Sequence, residues 1–280
     1  MAQHRSPTRL TSAWDSLDSN SRLYRVASAG TPKIKILARL SLGRGRVATS
    51  RAAASTSPPF SVCTAPRLGR IKSMTTNRSV AVFDLGGVLI DWNPRYLYRQ
   101  LFDGDEAAME NFLATVCTAE WNDQQDAGRT FAEACGSLKL DHPAHADLID
   151  AWIGRYEEML GGEISGTVEI LAELRARRVP LYALTNWSAE TYPAALKRFE
   201  FMKWFRGVLV SGEVKLLKPD SRIFELFLET YAIDPAHAVY IDDRRPNVEA
   251  AIALGMHGIV FTNPSALRGE LVKVGLLTAD

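Results

Sequence analysis

The 280-residue chain is poor in cysteine, with only Cys63, Cys117 and Cys135 and no Cys-x-x-Cys pair. That excludes a disulfide scaffold and a thiolate zinc site of the usual spacing, and an odd, unpaired set reads as reduced thiols of an intracellular protein. No uninterrupted apolar run of about 18 residues occurs, so a membrane-spanning helix is not expected. No internal repeat is visible, which argues against a repeat architecture. Acidic residues are scarce in one place only. Residues 1–78 hold 14 Lys/Arg against 2 Asp/Glu, leaving 19 basic and 30 acidic residues for the remainder, so a net charge of +1 conceals a basic front and an acidic body.

The front is rich in Arg, Ser, Thr, Ala and Pro, carries basic clusters such as Arg44-Gly45-Arg46 and Arg67-Leu68-Gly69-Arg70, and has no sustained apolar period. Such a segment cannot bury enough apolar surface to fold, and disorder is expected. Its Arg- and Ser-rich, acid-poor character is that of an organellar transit peptide. Two other readings stand beside this one: a start at Met74, which leads directly into the first strand, and a basic tail for nucleic acid, disfavoured by sparse aromatic interleaving. The compartment is accordingly cytoplasmic with a Met74 start and organellar with a transit peptide. Over the whole chain, 46% hydrophobic and 23% charged content is ordinary for a globular protein.

The organising stretch is Val80-Ala81-Val82-Phe83-Asp84-Leu85-Gly86-Gly87. Four apolar residues run into an acid followed by two glycines, the pattern of a buried strand that ends in a carboxylate and turns sharply. Residues 95–162 read almost wholly as helix, with Leu148, Ile149, Trp152, Ile153, Tyr156, Met159 and Leu160 forming one apolar stripe. Within it the period lapses at Glu120 to Arg129, which reads as a polar loop, either presenting Trp121 to a substrate or simply solvated. From Ser165 onward strands at 180–185, 207–211, 238–242 and 258–261 alternate with helices, which implies a parallel sheet covered on both faces. His142 and His145 are separated by a proline and lack an acidic third ligand, so they read as surface residues; Trp187 reads as either substrate-facing or packed.

Three later strands also end in polar groups. Thr185-Asn186 offers a hydroxyl, an amide and backbone N–H groups beside a helix start, where anions bind well. Lys218-Pro219-Asp220 sets an ammonium at a fixed turn, and Asp242-Asp243 ends a run of four apolar residues. Two carboxylates about 4 Å apart cost about 4 kcal/mol at an effective dielectric near 20. Three acids at one sheet edge therefore require compensation, and Lys218 with a bound Mg²⁺ balances Asp84, Asp242 and Asp243. Mg²⁺ suits this supply because it favours few carboxylates, several waters and a substrate phosphate.

The order Asp84-Leu85-Gly86-Gly87-Val88-Leu89, Thr185-Asn186, Lys218-Pro219-Asp220 and Ile241-Asp242-Asp243, with Asn247 following, resembles the four motifs of the haloacid dehalogenase-like hydrolase superfamily over residues 79–280. The resemblance implies a Rossmann-like α/β core from 79–94 and 163–280, and a small all-helical cap domain, 95–162, inserted after the first strand. It makes Asp84 the nucleophile that forms an aspartyl-phosphate. By the same resemblance Thr185 and Asn186 hold the phosphoryl group and Lys218 neutralises charge. Asp84, the carbonyl of Gly86, Asp242 and Asp243 then form the Mg²⁺ site.

One position departs from the pattern. Phosphatases of the superfamily usually carry a general acid two places after the nucleophile, where this chain has Gly86. Such help is typically worth about 10² to 10⁴ in rate. The expected substrate is then a small phosphorylated metabolite whose phosphate leaves readily from an anomeric, acyl or aryl oxygen, and the motifs resemble the glucose-1-phosphate phosphatase branch. A 2-haloacid dehalogenase is the alternative, since halide leaves without a proton, although those enzymes need no Mg²⁺ and generally lack the paired acids. A non-catalytic binding protein on the same fold is the third reading. No nucleic-acid or membrane partner is expected.

Overall fold

The structure, a computed structural model, describes residues 78–279. Nearly all of the basic front, with the readings made for it, lies outside the described residues, as does Cys63. Among the described residues Cys117 and Cys135 are free and buried, and no helix is long and apolar enough to cross a membrane.

Five strands form one parallel sheet: β1 (Val80–Phe83), β4 (Leu181–Thr185), β5 (Gly207–Val210), β6 (Ala238–Asp242) and β7 (His257–Val260). Their order is β5-β4-β1-β6-β7, so β1 is central, with Phe83 opposite Ala183 on one side and Ile241 on the other. Parallel strands covered on both faces read as continuous apolar runs rather than alternations. Ala81 and Phe83 point into one core, with Leu171, Leu174 and Leu267 from α6 (Ser165–Ala176) and α11 (Pro264–Lys273). Val82 points into the other, with Ile223, Phe224 and Phe227 from α9 (Ser221–Tyr231) and Val248 from α10 (Arg245–Ala253). Since every strand runs the same way, β1, β4 and β6 end at one edge, which is why Asp84, Thr185 and Asp242 come together.

Between β1 and β4 lies a two-stranded antiparallel ribbon, β2 (Ile90–Trp92) and β3 (Leu160–Glu163). It carries five helices: α1 (Arg95–Leu101), α2 (Glu106–Thr115), α3 (Ala119–Asp126), α4 (Phe131–Asp141) and α5 (Ala146–Gly154). The ribbon was not anticipated: three and four residues are too short for an alternation to register, and Gly161-Gly162 hides the second strand. Trp152 anchors the insert, its ring 5.3 Å from Trp121, 5.9 Å from Tyr98 and 6.3 Å from Trp92. Two short helices, α7 (Tyr192–Arg198) and α8 (Ser211–Val214), complete the sheet connections.

The expected polar loop at Glu120 to Arg129 is instead mostly helix α3. Thr118 caps its N-terminus by accepting from the Trp121 N–H at 3.1 Å, and Gln125 donates back to the Trp121 carbonyl at 2.5 Å. Its buried residues, Trp121 and Gln125, are one turn apart, and a buried glutamine on the inward face is what made the apolar period lapse.

Candidate active site

Asp84 follows β1, and its backbone N–H donates to the Ile241 carbonyl at 2.8 Å, which fixes the turn against β6. The carboxylate is nearly enclosed and accepts from the Leu85 N–H at 2.7 Å. The chain then leaves through Gly87, whose φ of +72° lies in the left-handed region. A Cβ there would also sit 2.7 Å from an Asp243 carboxylate oxygen, which would have to move aside, so it is the backbone conformation that calls for glycine.

Lys218 joins the acids. Its ammonium, 3% exposed as a residue, lies 3.0 Å from Asp84 Oδ1 and 2.7 Å from Asp242 Oδ2 and donates to the Leu184 carbonyl at 3.0 Å. Three oxygens thus take its three protons, the condition under which a buried ammonium is tolerated. Burial acts to lower its pKa, but the fields of Asp84 and Asp242 outweigh that and hold it above the ordinary lysine range.

Asp242 is fully enclosed. Its Oδ2 accepts from Lys218 and from the Tyr240 hydroxyl at 2.6 Å; its Oδ1 accepts from the Arg244 N–H at 2.8 Å, and the Asn247 amide lies 3.0 Å from both oxygens. Burial favours protonation, but these donors prevail and keep its pKa below the usual carboxylate range. Asp242 is thereby committed to the protein, whereas the neighbouring Asp243 is exposed. Partial desolvation of its carboxyl raises Asp243 despite that exposure, with Asp242 adding to the effect, and burial, with Asp242 adding, likewise pushes Asp84 up against the pull of Lys218. Carboxylate oxygens of Asp84, Asp242 and Asp243 lie within 4.8 Å of one another. Three acids around one lysine leave the group short of positive charge, and hard oxygen donors match Mg²⁺.

Thr185 and Asn186 reach the same edge but not in the expected manner. Thr185 is buried at the end of β4. The Asn186 side chain donates to the Lys218 carbonyl at 3.1 Å and accepts from the Lys218 N–H at 2.9 Å, so both ends of its amide are spent holding the lysine's backbone. Trp121 does not reach the site: it is 7% exposed and packed edge-on against Trp152 and Phe131. The reason is the helical placement of α3, which turns this ring toward the insert's interior.

These groups open into a cavity of about 420 Å³ between the strand ends and the insert, lined by Asp84, Gly86, Asn186, Lys218 and Asp243 on one side. The insert wall includes Trp92, Leu113, Trp152 and Tyr156, together with Asn122, Asp123 and Asp126, and Trp187 adds a further aromatic from the core segment after Asn186. The acids of this wall went unnoticed in the sequence because the stretch was read as a loop organised around Trp121. Trp152, assigned to the core by its helical stripe, both packs and lines the cavity.

The family model of the haloacid dehalogenase-like hydrolases matches residues 79–255. The chain belongs to this family. It is an enzyme, a hydrolase, and the reading as a non-catalytic binding protein falls with that. It is similar to a sesquiterpene phosphatase of Aspergillus oryzae, 26% identical over 71% of this chain and 97% of that one. It is also similar to a phosphorylated carbohydrates phosphatase of Thermotoga maritima, 30% identical over 35% of this chain and 45% of the relative. Among solved structures, a HAD family enzyme of Bacteroides thetaiotaomicron aligns with a TM-score of 0.55 and 25% identity, covering 67% of this chain and 95% of its own. The wild-type form of that enzyme has also been solved with magnesium and inorganic phosphate; it aligns at a TM-score of 0.52 and 25% identity over 66% of this chain and 95% of its own.

Proposed function

We propose that the enzyme is a Mg²⁺-dependent phosphatase of small phosphomonoesters acting through an aspartyl-phosphate on Asp84. The observation that carries the reading is the grouping of Asp84, Lys218 and Asp243 at one strand edge, three acids with Asp242 against one lysine, and a cavity above them. Asp84 attacks phosphorus, the bond to the leaving oxygen breaks, and water then releases phosphate and restores the carboxylate. Lys218 balances Asp84 and the incoming phosphate; Asp242 and Asn186 position Lys218. Asp84, the Gly86 carbonyl and Asp243 are the residues that would hold Mg²⁺, with Asp242 supporting from behind. Bound there, the ion would neutralise charge on the phosphate oxygens.

The aromatic wall favours a substrate whose organic part is flat or apolar. Of the leaving groups that need no proton, an aryl phosphate matches this wall better than a sugar-1-phosphate. The similarity to a phosphatase named for a sesquiterpene supports an apolar organic part.

Chelation is expected to abolish phosphate release from p-nitrophenyl phosphate, and Asp243→Asn to raise the Mg²⁺ concentration for half-maximal activity by at least about tenfold, since one ligand charge is lost. Titration of activity with Mg²⁺ reads both. Activity on 2-chloropropionate that persists in chelator, with none on any phosphate, would move the assignment to a dehalogenase.

A further inference from the structure

The missing partner of Asp84 leaves the proton of the leaving group without a source on β1, and the insert offers one. Asp126 closes helix α3 and lines the same cavity as Asp84. Its main chain is tied to the core, because the Ser211 hydroxyl donates to the Asp126 carbonyl at 2.6 Å. Its carboxylate accepts from the Asn122 amide at 3.0 Å and is hydrogen-bonded by the Ser188 N–H, just beyond Thr185-Asn186. A side chain from the insert is thus anchored at the strand edge where the phosphate would sit. We propose that Asp126 is the general acid–base of this enzyme, supplied from the helical insert in place of the residue missing at Gly86. The inference rests on the phosphatase reading above.

In the first step Asp84 forms its bond to phosphorus as the phosphorus–oxygen bond to the leaving group breaks, and the Asp126 proton passes to the departing oxygen. In the second, Asp126 as carboxylate takes a proton from the attacking water, phosphate is released, and both acids return to their starting states. The environment suits this exchange. Burial pushes the Asp126 carboxyl up to about 7, helped by Asp123 on the same helix and by Asp84, and opposed by the Ser188 N–H and Asn122. The other groups near it are Tyr156, a neutral phenol whose own pKa is raised, and Arg244, whose charge acts on Asp123. A carboxyl near 7 divides between donor and acceptor forms at neutral pH, which is where a general acid–base works best.

With an acid in place, alkyl phosphates become substrates beside aryl ones, and the two classes provide the test. In a two-step mechanism kcat/KM reports events up to departure of the leaving group. Nitrophenolate leaves without a proton, whereas an alkoxide does not. Asp126→Asn should lower kcat/KM for 2-phenylethyl phosphate by about 10² to 10⁴ and for p-nitrophenyl phosphate by less than about tenfold. Its kcat should fall on both, because the water step also loses its base. In the wild type, kcat/KM for the alkyl ester should fall tenfold per pH unit above about 7 while that for the nitrophenyl ester does not. A Cβ at Gly86 meets nothing within 4 Å, so Gly86→Asp in the Asp126→Asn background should restore part of the alkyl activity. Equal losses on the two esters, or no loss on the alkyl ester, would overturn the assignment of Asp126 alone. A wild type inactive on both would overturn the phosphatase reading, and Asp126 with it.

Discussion

Asp84→Asn should reduce phosphate release by at least about 10⁴-fold in kcat, because an amide cannot form the covalent intermediate, and single losses of nucleophiles cost on this scale or more. The variant should nonetheless remain folded. In the wild type burial raises the Asp84 carboxyl above its ordinary value, so the ionised group is disfavoured in the folded state. An acid with a raised folded pKa withdraws stability as pH increases through that pKa. Replacing it with a neutral isostere removes that penalty, and Lys218 keeps its 2.7 Å partner Asp242. The melting temperature at pH 8 should therefore be no lower than that of the wild type. Residual activity within tenfold of wild type would place the nucleophile elsewhere.

Lys218→Met should behave in the opposite way, damaging both activity and the fold. Two enclosed carboxylates and the Leu184 carbonyl would lose their shared donor. Removing one member of a buried charged cluster costs about 3–5 kcal/mol, because the remaining charges are left uncompensated. For a domain of this size that corresponds to roughly 6–20 °C in melting temperature. The loss should shrink toward acidic pH, where the carboxylates take up protons and no longer need the lysine. Activity should fall by about 10² to 10³ even in the folded fraction, the usual cost of losing a preorganised electrostatic partner at the reacting group. Comparing melting curves of the two variants at pH 5 and pH 8 separates the roles of the pair. A lysine variant as stable as the wild type at pH 8 would show that the acids are not ionised around it.

The strand tips were legible because their signals are local. An apolar run ending in Asp84, and another ending in Asp242-Asp243, states both the strand and the place where it stops. Parallel order then follows from the alternation of strands with helices, and parallel order alone gathers the strand ends. The insert was harder. Trp121 was assigned to the substrate because an aromatic in a polar stretch is ambiguous until its helical phase is known. Gln125, buried by a bond to the backbone one turn back, removed the periodic cue that would have supplied the phase. Asp126 was passed over for the same reason, as the last residue of a helix read as a loop.

The sequence by itself determined the parallel α/β core, the order of its polar strand ends and the absence of an acid at Gly86. These depend on runs of neighbouring residues, whose periodicity and backbone preferences are set locally. Only the tertiary structure decided which acids are free to act: it spent Asp242 and Asn186 on holding Lys218, turned Trp121 into the insert, and brought Asp126 to the cavity facing Asp84. Those outcomes turn on desolvation and on hydrogen bonds between residues tens of positions apart, such as Ser211 to Asp126 and Asn186 to Lys218. A carboxylate's work is fixed by what surrounds it, and in this enzyme those surroundings come from distant parts of the chain.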